Sequence, residues 1–205
     1  AVQAMQPQAD FWGSEAEPDL AHAIAARGLR WQRCEAGQSW VWDGVRFEML
    51  HPWAADYASP ARPNARSCVL RVVSASGRVA LLVGDIEAAQ EQRLVAVLGA
   101  ALRADLLLVP HHGSRTSSTA AFIDAVRPRI ALVQAGYRNR FGHPVVAVVH
   151  RYGERGIRVL DSPSCGSMAW SSADPERWQC ARQEERRIWR HHPLEAAVAK
   201  RKTEK

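Results

Sequence analysis

Apolar and polar positions along the chain change period twice, and each change marks a different kind of structure. Residues 17–28, "EPDLAHAIAARG", place apolar side chains at helical spacing with Gly28 in position to stop the helix. From about 39 to 83 the runs "SWVW", "VRFEML", "SCVLRVVS" and "RVALLVG" are short and β-rich, and "DG" and "ASG" between them are hairpin turn signals. This stretch predicts a β-meander. Beyond it "EAAQEQRLVAVLGAAL" is helical, "ADLLLV" a strand, "SSTAAFIDAVRP" a helix capped by Ser117 or Ser118, and "RIALVQAG" a strand. "PVVAVVHRYGERG" continues as a helix, and "IRVLDS" and "GSMAW" read as a closing pair of strands. Alternating strands and helices put helices on the face of a sheet, so the fold class is α/β.

Composition narrows this to one domain. The chain has 205 residues, 47% hydrophobic and 23% charged, which is ordinary globular usage, and it holds no internal repeat. Its longest apolar runs are strand-sized, far short of the ~20 residues that span a bilayer. The first residues, "AVQAMQPQAD", have no Met, no basic start and no apolar signal-peptide core, and read as the internal start of something longer. Four cysteines are too few and too scattered to predict a disulfide framework, and no CxxC spacing suggests structural zinc. The redox compartment stays open at this point.

Formal charge is +6, but residues 176–205 hold nine Lys/Arg against five Glu. The composition shift near 172–175 therefore divides the chain into a domain over 1–172 and a basic tail over 173–205, helical or disordered. Such a tail is a solvated arm or a nucleic-acid clamp, since surface charge alone defines no site.

Ligand-type residues fall at three strand ends. In "LLVGDIE", Asp85 is the first polar side chain after a buried strand, and its carboxylate suits a bridge between two divalent cations. In "LLVPHHGSRTSS", His111 and His112 follow another strand; neutral imidazole binds Zn or Mn and serves as acid or base. Adjacent histidines in a strand alternate in direction, so only one of the two is expected to face a site. In "NRFGHP", His143 follows the third strand beside Arg138 and Arg140. Each also has a plain structural reading as turn or helix cap. Loops at one sheet edge gather where binding sites are built, so the coincidence carries more than any single residue.

"WDGVRFEMLHP", "NARSCVLRV", "LLVGDIEAAQEQRL", "LLLVPHHGSRTSS" and "NRFGHP", in this order and over residues about 29–170, resemble the C-terminal metallo-β-lactamase-like domain of ComEC-type DNA internalisation (competence) proteins. The resemblance implies the C-terminal portion of an αββα sandwich with a site for two divalent metal ions, Mn or Zn. It implies Asp85 and His111 as metal ligands, His112 and His143 as catalytic residues, and Ser114, Arg138, Arg140 and Asn64 as substrate-binding residues, with Ser67 in the same polar strand-entry motif as Asn64. It implies DNA and the transmembrane channel portion of the same protein or complex as partners, no small-molecule cofactor, and an inner-membrane location.

One motif of that family is missing. A His-x-Asp-x-Asp-His cluster should precede these motifs, and His22, His51, His150, His191 and His192 do not form it. The chain is thus expected to supply at most half of a two-metal site. Its function is then the C-terminal part of a DNA-uptake nuclease, completed by an upstream half. Two other readings stay open, a non-catalytic remnant that contacts DNA and a different metallo-β-lactamase-fold hydrolase of a small ester. Arg115 is a further phosphate candidate, and Tyr137 and Phe141 either stack on bases or pack into the core.

Overall fold

A computed structural model describes residues 11–14, 18–58 and 62–184. The predicted basic tail therefore lies, from residue 185 on, outside the described residues. A short strand β1 (Phe11–Gly13) pairs in parallel with β2 (Trp31–Arg33), and helix α1 (Pro18–Ala25) lies between them in sequence. The meander follows as predicted, with β3 (Ser39–Trp42), β4 (Val45–His51), β5 (Val69–Val73) and β6 (Val79–Leu82) paired antiparallel. Then α2 (Ala88–Leu98), β7 (Leu106–Leu108), α3 (Ala120–Val126), β8 (Ile130–Val133), α4 (Val146–Gly153) and β9 (Arg158–Asp161) alternate. Strands β6 to β9 are parallel neighbours, and the whole forms one seven-stranded sheet in the order β3-β4-β5-β6-β7-β8-β9. This is the α/β architecture expected, a meander followed by alternating strands and helices.

The pleat explains which face is covered. Leu81, Leu107 and Ala131 are in-register partners and are fully buried, in one core with Leu94 of α2, Phe122 and Ile123 of α3, and Val148 and Tyr152 of α4. One residue along, the other face carries an unbroken cross-strand row of Leu70, Leu82, Leu108, Leu132 and Leu160. None of these five belongs to the helix-side core, none is fully buried, and Leu82 is 36% exposed. Partners in register project to the same side of a sheet, so the row is a continuous apolar stripe on the face opposite that core. Part of that face is covered elsewhere, where Trp12 stacks on Trp40 and Trp40 on Phe47.

Three expectations need correction. The four cysteines form two disulfides, Cys34–Cys68 and Cys165–Cys180; sequence separations of 34 and 15 residues hid pairings that only the fold brings together. The last two predicted strands do not pair with each other. β9 completes the main sheet, and β10 (Met168–Ser171) pairs with β11 (Asp174–Cys180), so the composition shift near 172–175 falls inside a hairpin. Two short helices, α5 (Ser162–Cys165) and α6 (Ala181–Glu184), flank that hairpin. Finally, α3 is capped by Thr119, whose hydroxyl accepts from the Phe122 N–H, and not by Ser117 or Ser118.

Candidate metal centre

The parallel strands β6, β7 and β8 deliver their following loops to one edge of the sheet, and those loops are bonded to each other. After β6, Gly84 adopts a φ of +56°, and a Cβ there would lie 3.1 Å from the Cβ of Ser67. Only glycine takes both the conformation and the space. The next residue, Asp85, donates its backbone N–H to the Ser67 hydroxyl at 3.1 Å. Ser67 is in turn fixed from behind: its carbonyl accepts from Nδ1 of His51 at 2.8 Å, and its neighbour Cys68 is bridged to Cys34. His51 is 1% exposed, packs edge-on to Trp53, and is held below its ordinary pKa chiefly by burial. It positions the Asp85 loop through Ser67. The sequence reading placed no role on it.

The second loop corrects the expectation of strand alternation. His111 and His112 lie in a tight turn, Pro110–Gly113, both with left-handed backbones (φ 48° and 57°). Non-glycine residues in that region are uncommon and concentrate at functional sites. Both rings therefore reach the same edge, with centroids 6.3 Å apart. The His111 N–H donates to the Gly84 carbonyl at 3.0 Å and joins this loop to the first.

The third loop is closed on itself by Asn139, whose Oδ1 accepts the His143 N–H at 3.0 Å while its amide donates to the His143 carbonyl at 2.6 Å. It is docked on the second loop through Gly113. A Cβ on Gly113 would stand 2.7 Å from that of Pro144, and the Gly113 carbonyl accepts the Val145 N–H at 3.0 Å. This close approach brings the His143 ring centroid to 5.9 Å from that of His111. Burial, with His111 and His112 adding to it, holds His143 below its ordinary pKa.

Hydrogen bonds assign the ring nitrogens. Nδ1 of His112 lies 2.6 Å from the carbonyl of Gln134, which can only accept, so Nδ1 carries the proton of the neutral ring. Nε2 then presents its lone pair to Oδ1 of Asp85, 3.4 Å away. Two electron-pair donors face each other, the arrangement that a cation or a proton between them stabilises. His111 is engaged differently. Its Nδ1 lies 3.3 Å from Oε1 of Glu87 and 3.4 Å from the Thr116 hydroxyl, and Nε2 lies 3.4 Å from the Asn64 amide. The geometry thus groups Asp85 with His112 and gives His111 the more buried, more heavily bonded place.

Glu87 and Thr116 went unread in the sequence. Glu87 is the N-cap of α2, in a capping box with Gln90, and its carboxylate accepts from Thr116 at 2.9 Å. Its signal was there: an acidic residue two positions after Asp85, at a helix start. The "GSRTSS" serines are occupied inside the protein. Ser114 is buried and shares its hydroxyl with that of Thr116, Ser117 donates to the Pro110 carbonyl, and Ser118 accepts from the Tyr152 hydroxyl. The segment is anchored by buried Glu91, which accepts the Ser118 and Thr119 N–H groups; burial raises its carboxyl above the usual range against those bonds. Tyr137 and Phe141 are 47% and 65% exposed beside Arg138 and Arg140, which lie over their rings. Arg115 is also exposed.

As a metal centre the set is incomplete. Among the described residues no group of three His, Cys, Asp or Glu side chains is placed to hold a metal ion. Zinc sites use four ligands, or three plus water. Asp85 and His112 offer two candidate donors.

No protein-family model matches the chain. It is 41% identical over 133 residues, 65% of its length, to Competence protein ComA of Neisseria gonorrhoeae. It is 37% identical over 122 residues, 58% of its length, to Recombination protein 2 of Haemophilus influenzae, and 30% identical over 160 residues, 78% of its length, to ComE operon protein 3 of Bacillus subtilis. The chain spans 19%, 15% and 20% of these three relatives. Among solved structures it is similar to the metallo hydrolase Igni18 of Ignicoccus hospitalis (TM-score 0.44, 10% identity, 78% of this chain and 67% of that one). It is also similar to the metallo-beta-lactamase fold protein YhfI of Bacillus subtilis (TM-score 0.44, 11% identity, 78% and 64%). The sequence relatives make the chain a ComEC-like segment of the competence-protein family.

Proposed function

We propose that this chain is the C-terminal part of a DNA-uptake protein's metal-dependent nuclease domain, which cuts DNA phosphodiesters when an upstream half completes the site. The observation that carries the reading is the pair Asp85 and His112, two donors facing each other at 3.4 Å with too few partners of their own. The leucine row on the face opposite the helix-side core supports it. That stripe crosses the same strands at the ends that carry the loops, where a second sheet carrying the missing ligands would pack.

In this reading Asp85 and His112 hold a divalent ion, Mn or Zn, with Gln134 fixing the His112 tautomer. Two such ions, when bound, supply an activated water and a clamp on the scissile phosphate. Glu87 and Asn64 orient His111. The ring nitrogens of His143 make no hydrogen bond among the described residues, which leaves them for a leaving oxygen. Arg138 and Arg140, with Arg115, contact flanking phosphates, and exposed Tyr137 and Phe141 stack on unpaired bases.

The two disulfides favour an oxidising compartment, since such bonds are rare in reducing cytosol. We place the domain on the outer side of the inner membrane, attached to a transmembrane channel portion. No helix among the described residues is long and apolar enough to cross a membrane itself. The deciding experiment is DNA cleavage by the protein joined to its upstream half, with and without divalent metal, and with Asp85→Asn; metal-independent cleavage, or cleavage indifferent to Asp85, would refute it.

A further inference from the structure

At the ends of β6, β7 and β8 opposite to the histidines, a second cleft of about 580 Å³ opens. Arg71, Arg78, Arg103, Arg127 and Arg129 line it, against one carboxylate, Asp105. Asp105 is already committed: Oδ1 accepts from Arg78 at 3.1 Å and Oδ2 accepts the Val79 N–H at 2.8 Å, which anchors the start of β6. Arg71 pairs with Glu48. Arg129 pairs with Glu176 of β11, but both side chains are more than half exposed, and such surface pairs contribute little. Arg103 and Arg127 are exposed and form no salt bridge among the described residues; Arg127 gives Nε to the Asp124 carbonyl, and its charge also acts on the Asp124 carboxylate, itself held by Arg155.

We propose that this cleft binds the phosphate backbone of a nucleic-acid strand, at a site separate from the histidine cluster. Arg78, Arg103 and the pair Arg127 and Arg129 precede three neighbouring strands that lie about 4.8 Å apart, and Arg71 lies in the adjoining β5, so the charges form a row and do not converge on one point. A row of guanidiniums in an open cleft suits a repeating anion, whereas a small nucleotide requires convergent groups and an apolar slot. Guanidinium forks match phosphate oxygens two at a time. That the polyanion is nucleic acid rests on the function proposed above.

The test is binding of a labelled single-stranded oligonucleotide to the 205-residue chain in EDTA, where cleavage cannot intervene. Arg103→Ala and Arg127→Gln should each weaken binding about 3- to 10-fold and lower the slope of log affinity against log salt by about 0.7. Arg103→Lys should restore most of the loss, and Glu176→Gln, which frees Arg129, should tighten binding. Melting curves check the fold, and the exposed Arg103 position keeps the test open should Arg127→Gln unfold. Unchanged affinity in the Arg103 variants overturns the proposal. So does equal affinity for a mononucleotide or inorganic phosphate, and so does binding to anionic phospholipid vesicles that the oligonucleotide does not displace. The nuclease reading stands or falls separately, because Asp85→Asn should abolish cleavage by the completed protein while leaving this EDTA-resistant binding intact.

Discussion

Nε2 of His112 and Oδ1 of Asp85 lie 3.4 Å apart with the His112 proton turned away to Gln134. Two donors do not make a stable divalent site. The 205-residue chain should therefore bind Mn and Zn weakly by titration calorimetry and show no metal-dependent cleavage of DNA. Joined to an upstream segment that carries a His-x-Asp-x-Asp-His cluster, it should cleave. Asp85→Asn should then reduce the rate by more than the about 10- to 100-fold typical of residues that only support a ligand. Robust cleavage by this chain alone, indifferent to Asp85→Asn, would sink the assignment.

His111 and His112 should respond differently to the same change. Asparagine tolerates a left-handed backbone, so His111→Asn and His112→Asn keep the turn while removing the imidazole. His112→Asn should lower metal affinity of the completed protein. His111→Asn should spare affinity more and disturb the Glu87, Thr116 and Asn64 contacts instead, and Glu87→Gln should reproduce a milder form of it, within about 10- to 100-fold in rate. Equal metal affinities in the two histidine variants would contradict the division of roles.

Much of this edge was legible before any coordinates. Asp85, His111, His112 and His143 each follow an apolar run, and parallel strands must end at the same edge, so their assembly followed from periodicity and connectivity. What periodicity cannot carry is backbone handedness. Pro110 ends β7 early and the next two residues turn left-handed, so strand alternation never applied to the histidines. Likewise Thr119 takes the cap of α3 because Glu91, 28 residues earlier, claims the backbone N–H groups of Ser118 and Thr119. Long-range partners of this sort, Cys34 with Cys68 and Cys165 with Cys180 included, leave no local pattern to read.

Gly113 holds the third loop against the second. Alanine there would set a Cβ 2.7 Å from that of Pro144 in a backbone of φ +79°, so either the His143 loop retreats or the turn deforms. Gly113→Ala should lower stability by about 1–3 kcal/mol, measured by denaturant unfolding. It should also move the His143 ring resonances, whereas Gly153→Ala, where no atom lies within 4 Å and the backbone is not left-handed, should leave them in place.

Acid should destabilise the fold through His51. Burial holds its folded-state pKa below the ordinary 6.5, so the folded protein favours the neutral ring while the unfolded chain titrates normally. The contribution is complete above about pH 6.5 and is lost as pH falls from there through the lower folded-state value. His51→Gln, which still offers a donor to the Ser67 carbonyl, should lower stability at neutral pH and flatten the decline between pH 6.5 and 5. An unchanged acid slope in that variant would assign the titration elsewhere.

The two disulfides act on different parts of the molecule, and this separates their effects. Cys165–Cys180 closes 15 residues around the β10–β11 hairpin, for which loop-closure entropy gives about 3 kcal/mol. Cys34–Cys68 fastens β2 to the residue after Ser67, and Ser67 carries the Asp85 loop. Reductant should lower the melting temperature of the wild-type chain and of each single-bridge variant. In the completed protein, Cys34→Ser with Cys68→Ser should weaken metal binding as well as stability, because the segment that carries Ser67 loses its covalent restraint. Cys165→Ser with Cys180→Ser should lower stability and leave metal binding alone. A wild-type melt unmoved by reductant would show that the bridges contribute nothing, and with them would go the argument for an oxidising compartment.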